Sequence, residues 1–220
     1  MEKMPYRSDL DIPTAVVSTG DLVGSDWRHG LPSLHGRLVT LRELRASDAA
    51  SLCALLTTEE VARFISPPPT TVEGFERFIT WTSRQRLAGT YVCYAVTLRG
   101  FDTAIGIIQV RQLQADFATA EWGFAIGSAF WGTGVFHESA GLVLDFVFDT
   151  LRVHRLEARA SVLNGRGNGA LLKVGAVQEC LMRKSFIKNG ERFDQALYSI
   201  LRTDHQLSRM LAAVGSHRIH

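Results

Sequence analysis

The stretch that decides the fold is EWGFAIGSAFWGTGVFHESAGLVLDFVFDT, from Glu121 to Thr150. Its apolar beginning, Glu121–Ile126, is too short for a typical helix and predicts a strand. A glycine-rich turn follows at Gly127–Gly134. From Val135 to Phe148 the apolar residues recur every three or four positions, which predicts a helix. A strand that leads through a glycine turn into a helix can form an anion site, because the first N–H groups of the helix point out of its N-terminus.

The anion that suits this turn is a phosphate or pyrophosphate, since Gly132 and Gly134 leave the backbone open to close approach. A Walker loop needs a Lys and a Ser or Thr after its last glycine, whereas Val135 and Phe136 follow Gly134 here. A dinucleotide fingerprint needs a third glycine, but that position holds His137. Both of these classes are therefore excluded. An ordinary strand–helix connection remains the alternative.

A second glycine-rich segment, Asn164–Ala176 (NGRGNGALLKVGA), restarts a helix after another predicted strand. Together the two segments resemble the GNAT N-acetyltransferase superfamily, and within it the Rim-type branch that acetylates the N-termini of ribosomal proteins. The branch's W-G-x-G turn corresponds to Trp131–Gly134. The small residue that the branch has two places later corresponds to Phe136, and the Glu-Ala that follows it corresponds to Glu138-Ser139. Its N-x-x-S and K-x-G-F hallmarks correspond to Asn164–Gly167 and Lys173–Ala176.

The opening of the chain supports the same resemblance. Leu38–Arg45 and the following Ser47-Asp48-Ala49 look like the family's first strand and first helix. The resemblance covers roughly Leu34 to Thr203. It implies an N-acetyltransferase domain at residues 34–203, between an N-terminal arm at 1–33 and a C-terminal tail at 204–220.

The implied fold is α/β (α+β), with a mixed, mostly antiparallel sheet of seven strands flanked by about four helices. Predicted strands are Gly36–Leu44, Tyr91–Leu98, Ala104–Gln112, Thr119–Ile126, Arg155–Ser161, Val177–Ile187 and Arg192–Leu201. Predicted helices are Asp48–Leu56, a short one within Thr57–Phe64, one from Thr70 or Thr71 to about Leu87, Val135–Phe148, Gly165–Val174 and a short one in the tail. We expect the middle strands to separate after Ile126 and admit a ligand.

The resemblance implies acetyl-CoA as cosubstrate and no metal. Its pyrophosphate would lie on the turn formed by Trp131, Gly132, Thr133, Gly134, Val135, Phe136 and His137. Its pantetheine arm would pair with the backbone of Phe124, Ala125 and Ile126 like an added strand. Asn164 would bind the cofactor's amide arm, with an ordinary helix cap as the alternative. Arg166 would reach a phosphate, with a solvated surface arginine as the alternative.

Glu121 is the candidate general base, because many family members carry a catalytic carboxylate on this strand. The alternative is an ion pair with an arginine of a neighbouring strand. The general acid has no clear candidate, since Gly167 stands where the branch has Ser and leucines stand where relatives have Tyr. His137, Ser139 and Tyr198 are substitutes. A thiol pKa of about 8.5 makes the CoA thiolate a fair leaving group without an acid.

Composition limits the function classes further. The 220 residues are 46% hydrophobic and 21% charged, which predicts one globular domain. A net charge of +2 gives no sign of nucleic-acid binding. The three cysteines share no metal spacing, which favours reduced thiols in the cytoplasm. No apolar run predicts a signal peptide or a membrane span.

The function predicted from the sequence is transfer of an acetyl group to a primary amine of a peptide or protein N-terminus or of a small molecule. A peptide would enter between the Pro67–Pro69 connector and the Lys188–Glu191 turn. The alternative is a non-catalytic acyl-CoA-binding or regulatory protein of the same fold. A homodimer is left open.

Overall fold

The computed structural model describes the backbone of residues 27–216 and the side chains of residues 27–211. The first 26 residues of the predicted arm and the end of the tail after Ser216 lie outside the described residues. The proposed domain limits remain a prediction.

An eight-stranded sheet forms the centre of the described chain, in the order β1-β2-β3-β4-β5-β6-β8-β7. The strands are β1 Leu34–His35, β2 Val39–Glu43, β3 Tyr91–Leu98, β4 Ala104–Gln112, β5 Thr119–Ile126, β6 Arg155–Ser161, β7 Val177–Lys188 and β8 Glu191–Leu201. All neighbours are antiparallel except β5 and β6, which are parallel. The mostly antiparallel mixed sheet is confirmed. Its strand count is eight rather than seven, because the short β1 pairs with β2.

Six α-helices lie within residues 27–216, compared with about four in the predicted flanking layer. They are α1 Ala49–Leu56, α2 Glu59–Ala62, α3 Val72–Leu87, α4 Val135–Asp145, α5 Gly165–Lys173 and α6 Arg202–Ser216. Both α2 and α6 were predicted individually as short helices and account for the difference, and α6 is longer than predicted. Thr71 is the N-cap of α3, where its hydroxyl accepts a hydrogen bond from the Gly74 N–H at 3.0 Å.

The helix after the glycine turn departs from the predicted limit at Phe148. Its α-helical part ends at Asp145, and Phe146–Thr150 continues as a π-helical turn. Phe146, Val147 and Phe148 are all buried in the core. The wider turn is closed by the Leu151 N–H donating to the Phe146 carbonyl at 3.1 Å.

Two hydrophobic clusters pack on the sheet. One contains buried residues of α4 together with Tyr94, Ile108 and Trp122. The other contains buried residues of α1 and α3 together with Ile107 and Ala125. Because side chains alternate along a strand, Trp122 and Ala125 of β5 reach opposite clusters. β5 therefore lies in the middle of the sheet with helices over both faces.

The gap between β5 and β6 opens earlier than predicted. The two strands pair only from Thr119 to Glu121, so they separate after Glu121 rather than after Ile126. Beyond that point β5 stays paired with β4, and β6 stays paired with β8. Each strand is therefore held by its outer neighbour, which keeps the gap open inside a continuous sheet.

Candidate functional site

The backbone groups of β5 point alternately at β4 and at the gap. The Gly127 N–H donates to the Ile105 carbonyl of β4 at 2.9 Å, so odd-numbered positions of this strand direct their backbone groups at β4. Even-numbered positions, including Phe124 and Ile126, direct theirs at the gap. Ala125, which was predicted to pair with the ligand, therefore directs its backbone groups at β4.

The glycine turn after β5 has the backbone geometry that its sequence suggested. Gly132 and Gly134 have φ values of +78° and +88°, a region that side-chain-bearing residues rarely adopt. The indole N–H of Trp131 donates to the Ile126 carbonyl at 2.8 Å, which ties the turn to the end of β5. α4 begins immediately afterwards at Val135. The turn therefore presents a helix N-terminus beside the gap.

Glu138 fixes the start of α4 to the first strands. Its carboxylate accepts from the backbone N–H groups of Arg37 at 2.8 Å, Leu38 at 2.7 Å and Val39 at 3.1 Å. Burial alone would raise the pKa of Glu138, but the three N–H donors outweigh it and lower the pKa. The added Cβ of any residue replacing Gly36 would lie 2.7 Å from the Glu138 Cδ. The sequence predicted no role for Glu138 beyond its place in the motif.

The N-terminus of α5 forms a second turn beside the gap. Asn164 caps it, because its side-chain oxygen accepts from the Gly167 N–H at 2.9 Å. Asn168 donates to the carbonyls of Ser161 and Asn164, and accepts from the Tyr198 hydroxyl at 2.9 Å. The hydroxyl of Tyr198, one of the substitute acids, is therefore bonded to Asn168 of α5.

Arg166 and Trp131 connect the two turns. The Arg166 guanidinium lies 4.5 Å from the centroid of the Trp131 ring, within cation–π range. The sequence identified both residues as candidates but gave no reason for them to touch. Their contact places a permanent positive charge between the N-termini of α4 and α5.

These elements surround a cavity of about 1130 Å³. Ten of the predicted site residues line it: Phe124, Ala125, Ile126, Trp131, Gly132, Gly134, Phe136, His137, Asn164 and Arg166. Thr133 and Val135 are not among the lining residues, and Val135 is buried in the core. His137, one of the substitute acids, lines the cavity.

Phe136 occupies the position where the family has a small residue. Its ring packs on Phe124 with centroids 4.1 Å apart and stacks near Trp122 at 6.5 Å. The large side chain is therefore accommodated in an aromatic cluster on the floor of the cavity. The turn keeps its glycine geometry.

A second group of lining residues was not predicted from the sequence. Glu59, Glu60, Val61, Arg63, Phe64 and Ile65, from α2 and the segment after it, all line the cavity. The only hint was the proline connector at Pro67–Pro69, beside which a peptide was predicted to enter. We call Trp131–His137 together with Asn164–Lys173 the donor half, because the sequence predicts the acetyl donor there. We call Glu59–Ile65 the acceptor half, because this part of the lining is left for the predicted acceptor.

Glu121 lies away from the cavity lining. One carboxylate oxygen contacts Arg111 of β4, and the other accepts from Arg159 of β6 at 3.0 Å. The residue is only 3% exposed. These contacts support the alternative interpretation, an ion pair with neighbouring strands. A role as general base remains a prediction.

Among the described residues, no group of three or more His, Cys, Asp and Glu side chains is arranged to hold a metal ion. No helix in the same part of the chain is long and apolar enough to cross a membrane. All three cysteines are free thiols.

Comparison with known families decides the assignment. The family model described as "Acetyltransferase (GNAT) domain" matches residues 38–177. The chain belongs to the GNAT acetyltransferase family. It is therefore an acyltransferase, which favours the enzyme over the non-catalytic alternative.

Individual relatives agree with this assignment. The chain is 24% identical over 176 residues to the "Uncharacterized N-acetyltransferase p20" of Bacillus licheniformis, covering 80% of this chain and 99% of that protein. It is 27% identical to the "Uncharacterized N-acetyltransferase YoaA" of Bacillus subtilis (strain 168), covering 78% of this chain and 97% of that protein.

Two solved structures share the fold. The ribosomal-protein-S5-alanine acetyltransferase from Vibrio fischeri superposes with a TM-score of 0.70 at 20% identity, covering 79% of this chain and 98% of that one. The microcin C7 self-immunity acetyltransferase MccE, solved with acetyl-CoA and AMP, gives a TM-score of 0.69 at 19% identity, covering 76% and 93%.

Proposed function

We propose that this GNAT enzyme transfers the acetyl group of acetyl-CoA to the α-amine of a peptide or protein N-terminus. The observation that carries the proposal is the cavity at the β5–β6 gap. On one side it has two helix N-termini and a fixed guanidinium, which suit a phosphate-bearing donor. On the other side it has a carboxylate-bearing wall, which suits a cationic amine.

The donor half would hold acetyl-CoA by backbone groups. The N–H groups at the start of α4 would bind the pyrophosphate, and Gly132 and Gly134 leave room for it. Phe124 and Ile126 would pair with the pantetheine amides, because their backbone groups face the gap. The Ile126 carbonyl already accepts from Trp131, so its N–H is the group left for the ligand. The complex of MccE with acetyl-CoA supports this use of the fold.

Arg166 and Asn164 would complete the donor half. Arg166 would pair with a CoA phosphate while stacked on Trp131, which limits the freedom that its side chain would lose on binding. Asn164 lies at the gap with its side-chain oxygen used by the helix cap. Its amide N–H groups are then the ones suited to an acceptor atom of the cofactor arm.

The acceptor half would bind the amine before transfer. Glu59 and Glu60 line the cavity on α2 and would attract an ammonium group. Transfer needs the neutral amine, which breaks the thioester C–S bond as the amide C–N bond forms and releases the CoA thiolate. Glu59, Glu60 and His137 are the carboxylate and imidazole groups among the described lining residues that could accept the amine proton.

An N-terminal α-amine suits this cavity better than a Lys side chain. Its pKa of about 7.7–8.0, against about 10.4 for Lys, makes deprotonation at pH 7 cost ~3 kcal/mol less. Glu121, the strongest candidate base from sequence, is held by two arginines outside the cavity. The Vibrio fischeri acetyltransferase named for a ribosomal-protein alanine lends support to the same acceptor class.

The proposal is tested with purified protein and acetyl-CoA. Isothermal titration measures acetyl-CoA binding, and thiol release measures turnover. Tetrapeptides with free N-termini should be acetylated faster than N-blocked peptides that contain Lys. Equal rates on the two kinds of peptide would refute the α-amine acceptor. Acetyl-CoA binding without thiol release to any amine would refute the transfer itself.

A further inference from the structure

Lys188, at the end of β7, reaches the acceptor half from far along the chain. Its ammonium group donates to the backbone carbonyls of Ala62, of Arg63 at 2.8 Å and of Ile65 at 3.4 Å. An ammonium group has three donors, and these three carbonyls use all of them. Burial lowers the pKa of Lys188, in keeping with its half-buried position. Lys188 itself does not line the cavity.

The segment that receives these bonds has little local support of its own. α2 has only four residues, and its local backbone bonds are few: the Arg63 N–H donates to the Glu59 carbonyl at 2.9 Å and the Ile65 N–H to the Ala62 carbonyl at 3.3 Å. The chain then enters Pro67–Pro69, where three consecutive prolines have no N–H to offer. Val61 and Ile65 anchor the segment by burial, at 6% and 4% exposure. Lys188 adds three hydrogen bonds to the few that this segment makes within itself.

The hairpin that carries Lys188 is well fixed. Lys188 pairs with Glu191 at the tip of the β7–β8 hairpin, whose turn has Asn189 and Gly190 at φ values of +50° and +81°. Most of β7 is exposed, but Phe186 is buried and its ring lies 6.3 Å from that of Phe193. Lys188 lies two residues after Phe186 on β7. The pairing of β7 with β8 and the contact between Phe186 and Phe193 therefore fix the backbone from which the Lys188 side chain extends.

We propose that Lys188 is a positioning residue for acceptor recognition, because it holds the Glu59–Ile65 wall of the cavity in place through that wall's carbonyls. This inference rests on the proposed function, in which that wall faces the amine. Fixing the backbone of the wall fixes the directions of Glu59, Glu60 and Phe64 towards the acceptor. The donor half has its own supports in Glu138 and Asn164. Lys188 therefore sets the KM for the acceptor and leaves acetyl-CoA binding unaffected.

The test compares Lys188→Met with Lys188→Arg, using Lys184→Met as matched control. Lys184 is on the same strand, but its ammonium group is exposed and reaches only Arg192 and Asp194 of β8. The acceptors are tetrapeptides that begin with serine, alanine or methionine. Lys188→Met should raise the acceptor KM about tenfold, since losing a charge-assisted hydrogen-bond group commonly costs that factor or more. Lys188→Arg should restore most of it, and Lys184→Met should match wild type.

Isothermal titration of acetyl-CoA distinguishes a positioning effect from a folding defect. The acetyl-CoA affinity should stay within about twofold of wild type in every variant. An unchanged acceptor KM in Lys188→Met would overturn the inference. An equal loss of acetyl-CoA affinity would also overturn it, because that would indicate a fold defect.

Hydrogen–deuterium exchange gives a readout that needs no turnover. Backbone amides of residues 59–65 should exchange faster in Lys188→Met, and near the wild-type rate in Lys188→Arg. An unchanged exchange rate in this segment would refute the proposal that Lys188 holds the wall in place. If wild type acetylates no peptide, the proposed function fails and the acceptor role fails with it, while exchange still decides whether Lys188 fixes the wall.

Discussion

The two halves of the cavity are built in different ways. The donor half consists of two turns that are shaped by bonds between near neighbours, such as Trp131 to Ile126 and Asn164 to Gly167, although Glu138 also ties the start of α4 to residues 37–39. The acceptor half consists of one short helix whose carbonyls are bound by Lys188, more than a hundred residues away. A local motif can therefore specify the shape of the turns proposed to bind acetyl-CoA, while the wall proposed to face the amine depends on the packing of distant elements. This difference predicts that mutations in the two halves have separable kinetic effects.

Gly134→Val should have the largest effect and should act on the donor half alone. A β-branched residue at φ +88° is strained by about 1–3 kcal/mol, and relief of this strain would move the turn and the N–H groups at the start of α4. We expect acetyl-CoA affinity to fall about 10- to 100-fold in isothermal titration. Gly141→Ala on the same helix is the control, because nothing lies within 4 Å of its added Cβ. Unchanged acetyl-CoA affinity in Gly134→Val would place the phosphate site elsewhere.

Glu121→Gln tests a residue that belongs to neither half. A neutral amide would leave Arg111 and Arg159 without their shared carboxylate, so we expect a loss of about 1–3 kcal/mol in the free energy of unfolding. Chemical denaturation measures this loss. The pH dependence of kcat should be the same as in wild type if Glu121 is only structural. A selective fall in kcat with stability unchanged would instead support Glu121 as the general base.

Gly167→Ala should have the smallest effect of the three and should sharpen the definition of the donor half. The added Cβ would lie directly on the Asn164 amide nitrogen and 2.8 Å from its Cγ. Displacing Asn164 would break the cap of α5, at about 1 kcal/mol, and weaken acetyl-CoA binding several-fold.

Gly169→Ala is the control for this change, since the space at Gly169 is open and Ala favours the helix. The acceptor KM should be unchanged in both variants. A higher acceptor KM in Gly167→Ala would show that the two halves are coupled after all.

Much of the fold could be predicted because each element has a local signal. The alternation and length of apolar runs indicated the strands, and Thr71 marked the start of α3. The two-residue β1 had no such signal, because a strand this short exists only through its pairing with β2. The end of α4 was also missed, since the π-helical turn follows from burying Phe146, Val147 and Phe148 together.

Within the site, the sequence determined what depends on backbone chemistry. Glycines allow the positive φ values of the Gly132–Gly134 turn, Asn164 caps a helix, and helix N-termini attract anions wherever they occur. These properties belong to neighbouring residues and survive any arrangement of the rest of the chain. They were enough to predict an anion site, while the family and acetyl-CoA were predicted from the resemblance of the two glycine-rich motifs.

Only the tertiary structure decided which side chains reach the cavity. Glu121 has the right residue type for a base, but strand pairing directs it at Arg111 and Arg159. Glu59 and Glu60 have no motif around them, yet the packing of α2 brings them to the cavity. The physical reason is that direction and burial come from contacts between elements distant in sequence, and Lys188 is bound to Ala62 only once the sheet and helices have assembled.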